Sequence, residues 1–186
     1  MLIPFHPLKV AQAAVVLLKT EPARRMSRLR LLKLLYIADR EALTERARPI
    51  TGDRPVAMDH GPVLSHTYDL IKGRGFSSPV WEQYLRPVSR DIELVADPGV
   101  GRLTRYEIKK LQEVAERFAD VDDWSVAEYT HNFAEWQKNQ PPKGSSKNIP
   151  LDDLLEATGK LVEKSQLLVT EQAEMAFDRV LAAEAQ

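Results

Sequence analysis

The sequence contains no cysteine and no long apolar segment, and each absence excludes a class of protein. Without cysteine, none of its 186 residues can form a disulfide, a thiolate zinc site or a cysteine nucleophile. The most apolar early stretch, residues 10–18, contains Gln12 and is followed by Lys19. It is too short to span a bilayer and does not have the form of a signal peptide. We therefore expect a cytoplasmic protein, and the length favours one domain.

The sequence also lacks an excess of charge of either sign. It has 26 Lys and Arg against 27 Asp and Glu, for a formal net charge of -1. A dedicated nucleic-acid binder usually carries a basic surplus, because released counterions drive its affinity. Nucleic acid is therefore not the expected partner, and nothing in the composition indicates a membrane partner.

The charges that are present are unevenly distributed. Residues 1–50 contain ten Lys and Arg and four Asp and Glu, whereas residues 151–186 contain three and eight. The densest basic stretch consists of Arg24, Arg25, Arg28, Arg30 and Lys33. No aromatic residue interleaves with it, so single-strand stacking is not indicated. We interpret this stretch as a solvated face, and a DNA-binding transcriptional regulator remains the alternative.

Apolar spacing and capping residues predict most of the chain to be helical. Ser27 is a good N-cap, and Thr104 with Glu107 and Ser125 with Glu128 have the spacing of capping boxes. Gly61-Pro62 is expected to begin a helix that stops before Gly73. The predicted helices cover residues 7–20, 27–46, 61–72, a segment after each capping box, 151–163 and 170–185.

A smaller part of the chain is predicted to be β. Residues 55–59 have an extended pattern, and residues 81–86 and 92–96 look like two strands joined by a turn at 88–91. The predicted fold class is therefore α+β and mainly α: a helical domain with a small antiparallel β-hairpin or sheet.

The clearest break in the sequence is at residues 140–150, which contain three prolines and no large apolar run. We expect a domain over residues 1–139, a connector over 140–150, and a C-terminal helical extension over 151–186 that packs on the same domain. The last predicted helix has an apolar face formed by Ala173, Phe177, Val180 and Leu181. If that face is exposed, it is a candidate surface for a partner protein or for a second copy in a homodimer.

A few polar residues could in principle carry chemistry. His60 precedes Gly61, and His66 and Asp69 are three residues apart, so they can share a helix face. Histidines and carboxylates together bind metals or relay protons. A metal site needs three or four ligands, however, and no HExxH-like pattern is present. A metal-dependent hydrolase is therefore the less favoured alternative.

Other catalytic patterns are missing as well. A triad of Ser65, His131 and Asp59 lacks the local signature of an activated nucleophile. No phosphate-binding glycine-rich loop occurs. We expect no catalytic residue, no bound metal and no cofactor.

Three motifs occur in order along the chain and resemble those of one family. Residues 29–38, Leu-Arg-Leu-Leu-Lys-Leu-Leu-Tyr-Ile-Ala, resemble the L-x-K-L-L-Y-x-A helix of the SocA-like antitoxins, whose domain is called Panacea. Residues 61–68 resemble its G-P-V-x-x-x-x-Y motif, and His131 with Trp136 resembles its H-x-x-x-x-W feature. The sequence departs from the family at Met58 and His60, where the family has a tryptophan and an aromatic residue. The family-motif residues are Lys33, Leu35, Tyr36, Gly61, Pro62, Val63, Tyr68, His131 and Trp136.

The resemblance implies an antitoxin of a bacterial or prophage toxin–antitoxin pair, and not an enzyme. Such proteins neutralise toxins from neighbouring genes by direct protein binding. SocA-like members can also act as proteolytic adaptors that deliver the toxin to ClpXP. The implied partners are therefore a cognate toxin and, for an adaptor, the ClpX component of the protease.

We interpret the family-motif residues as mostly structural, with partner binding as the alternative role. Leu31, Leu35 and Ala38 are expected to build a core, and Pro62 to begin a helix. Tyr68 is expected to be largely buried with its hydroxyl hydrogen-bonded.

Overall fold

A computed structural model describes residues 4–74, 78–169, 172–173 and 175–176 of the chain. The fold is α+β and mainly α, as predicted, with two small antiparallel sheets of three strands each. The helices are α1 (Pro7–Leu18), α2 (Arg28–Arg46), α3 (Ser65–Ile71), α4 (Ser78–Glu82), α5 (Arg105–Arg117), α6 (Asp123–Thr130), α7 (Ala134–Lys138), α8 (Leu151–Ala157) and α9 (164–169). The strands are β1 (Arg25–Ser27), β2 (Pro55–Met58), β3 (Gly61–Leu64), β4 (Leu85–Val88), β5 (Asp91–Leu94) and β6 (Ser146–Asn148).

Helix α2 lies at the centre of the molecule. The Ser27 side chain accepts a hydrogen bond from the backbone N–H of Arg30, so the predicted N-cap is confirmed. Helices α1, α5 and α6 all pack on α2. Residues 30–39 are buried, because neighbouring elements surround this part of the helix rather than cover a single face.

Helix α1 is apolar on nearly every side and is accordingly buried from Val10 to Leu18. The side-chain amide of Gln12 is buried in this helix. It donates to the carbonyl of Pro98 at 3.1 Å and accepts from the backbone N–H of Arg102 at 2.9 Å. Among the described residues, no helix combines the length and the apolarity that a bilayer span requires.

The first sheet has the strand order β1-β5-β4. Its β4–β5 pair confirms the predicted hairpin, with Val88 opposite Asp91. The prediction was wrong at Trp81, which lies in helix α4 instead of a strand. Pro79 is the reason, because proline suits the first turn of a helix, and the strand then begins only at Leu85.

The second sheet has the strand order β3-β2-β6 and contains a hairpin that the sequence did not reveal. Gly61-Pro62 was expected to begin a helix, but Gly61 pairs with Met58 and Pro62 with Ala57 in the β2–β3 ladder. Gly61 has φ +91°, which no helix allows, and β3 is an edge strand, where proline is tolerated. Helix α3 therefore begins later, at Ser65.

The predicted connector over residues 140–150 contributes strand β6, in which Ser146 pairs with Met58. The following residue, Ile149, is buried. Helix α8 ends at Ala157, earlier than the predicted Glu163, because Gly159 takes a left-handed conformation with φ +69°. The predicted helix over residues 170–185 lies largely outside the described residues.

One of the two predicted capping boxes is confirmed. Thr104 and Glu107 make both reciprocal bonds at the start of α5. The second was wrong, since α6 is capped by Asp122, which accepts from the backbone N–H groups of Trp124 and Ser125. Asp122 precedes Ser125 and satisfies these N–H groups first, so the helix starts three residues earlier.

Candidate functional site

The β2–β3 hairpin is held against the helices by residues from two of the motifs. The ammonium group of Lys33, on α2, donates to the carbonyl of Pro62 at 2.8 Å. The indole N–H of Trp136, on α7, donates to the carbonyl of Met58 at 3.0 Å. The His131 ring stacks on Trp136, with centroids 4.3 Å apart and planes 9° from parallel. These contacts fix the hairpin on both of its strands.

Gly61 occupies the tightest point of this arrangement. A Cβ atom there would overlap the hydroxyl oxygen of Thr130 and lie 2.9 Å from Lys33 Nζ and 3.2 Å from the His131 ring. The positive φ of Gly61 independently disfavours any other residue. Glycine is thus required here both by the backbone and by the surrounding side chains.

Lys33 is a buried cation without an anionic partner. Its relative exposure is 1%, and no described carboxylate lies within ion-pair distance of it. Burial lowers the pKa of Lys33 to about 7. The pKa of His131 is also lowered, first by burial and then by the nearby Lys33 charge. The base of the hairpin therefore disfavours additional positive charge.

A second polar network joins α2 to α7. The Glu135 carboxylate is buried and accepts from the Tyr36 hydroxyl at 3.0 Å and from the Arg40 guanidinium at 2.8 Å. Arg40 also lies over the Phe133 ring, 4.4 Å from its centroid, and donates to the Ala157 carbonyl. Burial, followed by the Glu135 charge, raises the pKa of Tyr36 well above its usual value. The network connects α2, α7 and α8.

Two buried aspartates hold the loop between α2 and β2. Asp39 accepts from the backbone N–H groups of Ile50 and Thr51, at 3.0 and 2.9 Å, and from the Thr51 hydroxyl. Burial raises the pKa of Asp39 to about 7. Asp53 accepts from the backbone N–H groups of His66 and Thr67, which begin helix α3. Both carboxylates are occupied by bonds within the chain, so their role is structural.

Two cavities flank these networks. One, with a volume of about 370 Å³, lies beside the hairpin and is called the motif cleft here. The other, of about 230 Å³, lies between α2, the 49–55 loop and the start of α8. The motif cleft is lined by Leu29, Leu32, Lys33, Met58, Asp59, His60, Gly61, Val63, Tyr68, Gly144, Ser145 and Ser146.

The surface next to the hairpin tip carries an exposed aromatic pair. Trp124, near the start of α6, is 58% exposed. Its ring meets the exposed His60 ring edge-on, with centroids 5.0 Å apart. His60 lies at the tip of the hairpin whose base Lys33 and Trp136 hold.

The ordered motifs and their convergence on one hairpin agree with a direct family comparison. The family model described as "Antitoxin SocA-like, Panacea domain" matches residues 31–137, more than half of the chain. The chain belongs to this family. No curated protein and no solved structure matches it in the corresponding comparisons. The Panacea match begins within α2 and ends within α7, so it includes all of the family-motif residues.

The Panacea-domain motif residues are mostly internal. Lys33, Leu35, Tyr36, Gly61, Pro62, Val63 and Trp136 are buried, and His131 is half-buried. Tyr68 differs from expectation, since it is half-buried and lines the motif cleft. No hydrogen bond of its hydroxyl is found among the described residues; its ring instead lies 5.3 Å from Lys72 Nζ. Pro62, expected to begin a helix, lies in strand β3.

The basic stretch forms the solvated face that the sequence indicated only in part: Arg24 is exposed and Arg25 and Arg28 are half-buried, but Arg30 and Lys33 are not at the surface. Arg30 is buried and donates to the carbonyls of Val121 and Phe118 at 2.7 and 2.6 Å. Lys33 is buried beneath the hairpin. Helical spacing alone could not show this, because the contacts come from residues about 30 to 90 positions further along the chain.

The residues considered for chemistry have other partners within the chain. His66 Nδ1 lies 3.0 Å from Asp53, whose hydrogen bond raises the pKa of His66. Asp59 accepts from the Gly144 backbone N–H, and His131 stacks on Trp136. Within the described part of the chain, no three His, Asp or Glu side chains are grouped closely enough to hold a metal.

Sequence reasoning missed the buried Glu135, Asp39 and Asp53 and the exposed Trp124. Glu135 offered a weak signal, because it lies between the apolar residues Ala134 and Trp136. Trp124 also offered one, since it lies outside the apolar set of α6, Val126 and Ala127. Asp39 and Asp53 had no local signal, as their partners lie 11 to 14 residues further along the chain.

Proposed function

We propose that this protein is the antitoxin of a toxin–antitoxin pair and that it neutralises its toxin by direct protein binding, not by catalysis. The observation that carries this proposal is the Panacea-domain match over residues 31–137. The exposed Trp124 and His60 rings support it, because aromatic side chains left in solvent beside a rigid element are typical of binding surfaces.

Stoichiometry distinguishes a binder from an enzyme. The chain and the protein encoded beside it are expressed from separate inducible promoters, and growth is recorded as their ratio is varied. A binding antitoxin restores growth only when it is at least equimolar with the toxin, whereas an enzyme acts well below that ratio. The two proteins are also expected to copurify as a complex of fixed composition. Rescue at a small fraction of the toxin level in cells that lack ClpX would contradict the proposal.

Variants of the residues once considered for chemistry provide a matched control. Ser65→Ala and His66→Ala remove the candidate nucleophile and a candidate metal ligand from the surface of α3. If the protein acts by binding elsewhere, both variants restore growth at the same ratio as the parent. Loss of rescue in His66→Ala, with an unchanged thermal melt, would favour the metal-dependent hydrolase, and loss of rescue in Ser65→Ala would favour a hydrolase with a serine nucleophile.

A proteolytic adaptor function is a finer proposal within the same family role. If this protein delivers its toxin to ClpXP, the toxin's half-life shortens when the chain is present, and only in cells that contain ClpX. If it neutralises by binding alone, growth is restored equally with and without ClpX. Pulse-chase labelling of the toxin in the two strains separates these outcomes.

The DNA-binding alternative has lost much of its support. It relied on residues 24–33, but Arg30 donates hydrogen bonds to backbone carbonyls in the core and Lys33 donates one to the β2–β3 hairpin. Expressing the toxin from an unrelated promoter removes transcriptional control as an explanation. Rescue under these conditions is expected for the protein-binding function and is not expected for a regulator of the pair's own promoter.

A further inference from the structure

Trp124 differs from the other two tryptophans of the chain. Trp81 and Trp136 are buried, whereas Trp124 is 58% exposed. Leaving an indole ring in water forgoes the large stabilisation that its burial would provide. Exposed aromatic side chains of this kind are enriched at protein interfaces, where they act as anchors. We call Trp124 and His60, whose rings meet edge-on at 5.0 Å, the aromatic pair.

The aromatic pair is held in place from both sides. Asp122 accepts from the backbone N–H groups of Trp124 and Ser125 at 3.0 and 3.1 Å, and this fixes the first turn of α6. His60 is at the tip of the hairpin that Lys33 and Trp136 fix to the helices. A surface already ordered before binding loses little conformational entropy when a partner docks.

The surroundings of Trp124 are acidic. Residues 119–130 contain four carboxylates and no Lys or Arg. Asp120, Asp122 and Glu128 are exposed, and Asp123 is half-buried. Hydrogen bonds from Ser125 hold the pKa of Asp122 below its usual range, so it is ionised at neutral pH. Arg30 Nη1 lies 3.6 Å from Asp123, but its guanidinium is buried and bonded to carbonyls. Lys143 lines a surface depression together with His60 and Asp59.

An exposed indole ring with carboxylates beside it has the chemistry of an arginine receptor. A guanidinium group can stack on the indole face and at the same time donate paired hydrogen bonds to carboxylates. Nucleic acid is disfavoured at the same surface, because its phosphates would face the carboxylates. Charge complementarity thus selects a basic protein surface as the occupant.

We propose that the aromatic pair and the carboxylates of residues 120–128 form the docking surface for an arginine-bearing face of the partner toxin. This inference rests on the proposed function, because it assigns that function a surface. Trp124 is the anchor, and the carboxylates set the orientation and the salt dependence of association.

The test compares Trp124→Ala, Trp124→Phe and Glu128→Lys with the parent, using the protein encoded beside the chain as the probe and calorimetry to measure Kd. Trp124→Ala is expected to weaken binding by at least about 30-fold, as for an interface anchor. Trp124→Phe is expected to weaken it less, and parent affinity falls as NaCl rises from about 50 to 300 mM. Val95→Ala, which shortens an exposed side chain beyond the end of β5, is the matched control and is expected to bind like the parent.

A second probe separates failure of this inference from failure of the proposed function. A hexa-arginine peptide is titrated while tryptophan fluorescence is recorded, with Trp124→Phe and a hexaglutamate peptide as controls. If the toxin binds Trp124→Ala as it binds the parent, the docking surface is overturned while the antitoxin function stands. If the toxin does not bind at all but hexa-arginine saturably quenches Trp124, the proposed function fails and the arginine-binding surface stands. If neither probe responds to Trp124, the inference is wrong.

Discussion

At Gly61 the backbone conformation disfavours a Cβ atom, and Thr130 Oγ1 and Lys33 Nζ lie too close to the position it would occupy. Gly61→Ala is expected to lower the free energy of unfolding by on the order of 3 kcal/mol, because strained φ and overpacking act together. Urea unfolding measures the change directly.

Two other glycines separate these contributions. Gly99 has φ +67° but open space around its Cβ position, and Gly101 has open space and no positive φ. Gly99→Ala is therefore expected to lower the free energy of unfolding by about 1 kcal/mol, from backbone strain alone. Gly101→Ala is expected to change stability by less than about 0.5 kcal/mol. Equal losses at Gly61 and Gly99 would show that the contacts with Thr130 and Lys33 are unimportant.

Removal of the Glu135 carboxylate would leave the positive charge of Arg40 without its anionic partner. Arg40 and Tyr36 both donate to its carboxylate, in a place that water does not reach. Glu135→Ala is expected to destabilise the protein by about 3–5 kcal/mol, since Arg40 loses its buried partner. Glu135→Gln keeps a hydrogen-bond acceptor and should destabilise the protein less than Glu135→Ala does. The exposed Glu128 serves as the control, because Glu128→Ala should shift the urea midpoint little; a similar shift for both alanine variants would argue against the network.

At the scale of the element, helices were easier to predict than strands. Helix α2 followed from Ser27 and an apolar repeat within a single segment, and helix α5 from its capping box. Strands β1 and β6 are three residues each and pair with segments about 65 and 90 residues away. Nothing in three residues specifies such a partner. The prediction that Gly61-Pro62 begins a helix was wrong for a related reason, because the same two residues suit both a helix start and an edge strand of a hairpin.

Helix α8 lies beyond the family match, and one side chain accounts for much of its attachment. Leu155 is buried against Leu43 of α2. Leu155→Ala should lower the free energy of unfolding by about 2–4 kcal/mol, as removal of a buried leucine side chain usually does. Val162, which is 96% exposed, gives the matched control, and Val162→Ala should have almost no effect.

The outcome also tests the predicted division into residues 1–139, 140–150 and 151–186, which otherwise stays a prediction. If the 151–186 extension packs on the same domain, Leu155→Ala shifts the single unfolding transition of the whole chain. If α8 forms a separate unit, the variant produces a second, earlier transition while the rest melts unchanged.

At the scale of the whole molecule, the fold class and the order of the motifs were readable from the sequence, but the site was only partly so. Lys33, Gly61, Pro62, His131 and Trp136 were identified through the resemblance, and they do meet around one hairpin. The buried state of Lys33 was not predictable, because a lysine among leucines in α2 has the same local pattern whether solvent or a β-hairpin covers it. The surface that carries Trp124 was missed since exposure is set by the tertiary fold.

The stability of the whole molecule should depend on pH through Lys33. Its pKa falls from 10.5 in the unfolded chain to about 7 in the folded protein, because burial disfavours the charged form. Between these two values the unfolded state binds more protons than the folded state, so stability rises with pH. Below about pH 7 both states are protonated, and the full cost of burying the charge is present. Lys33→Met removes this pH dependence. It also removes the hydrogen bond to Pro62, but that loss changes the free energy of unfolding by the same amount at every pH.

Urea unfolding of the parent and Lys33→Met at several pH values from 7 to 9 measures this linkage. The parent's stability relative to Lys33→Met should increase with pH by up to about 1.4 kcal/mol per unit. Lys109→Met is the control, because the Lys109 side chain is exposed on α5. The stability of the parent relative to Lys109→Met should not change with pH. A flat difference for Lys33→Met as well would mean that Lys33 keeps its charge in the folded protein, and that a counter-charge or water reaches the base of the hairpin.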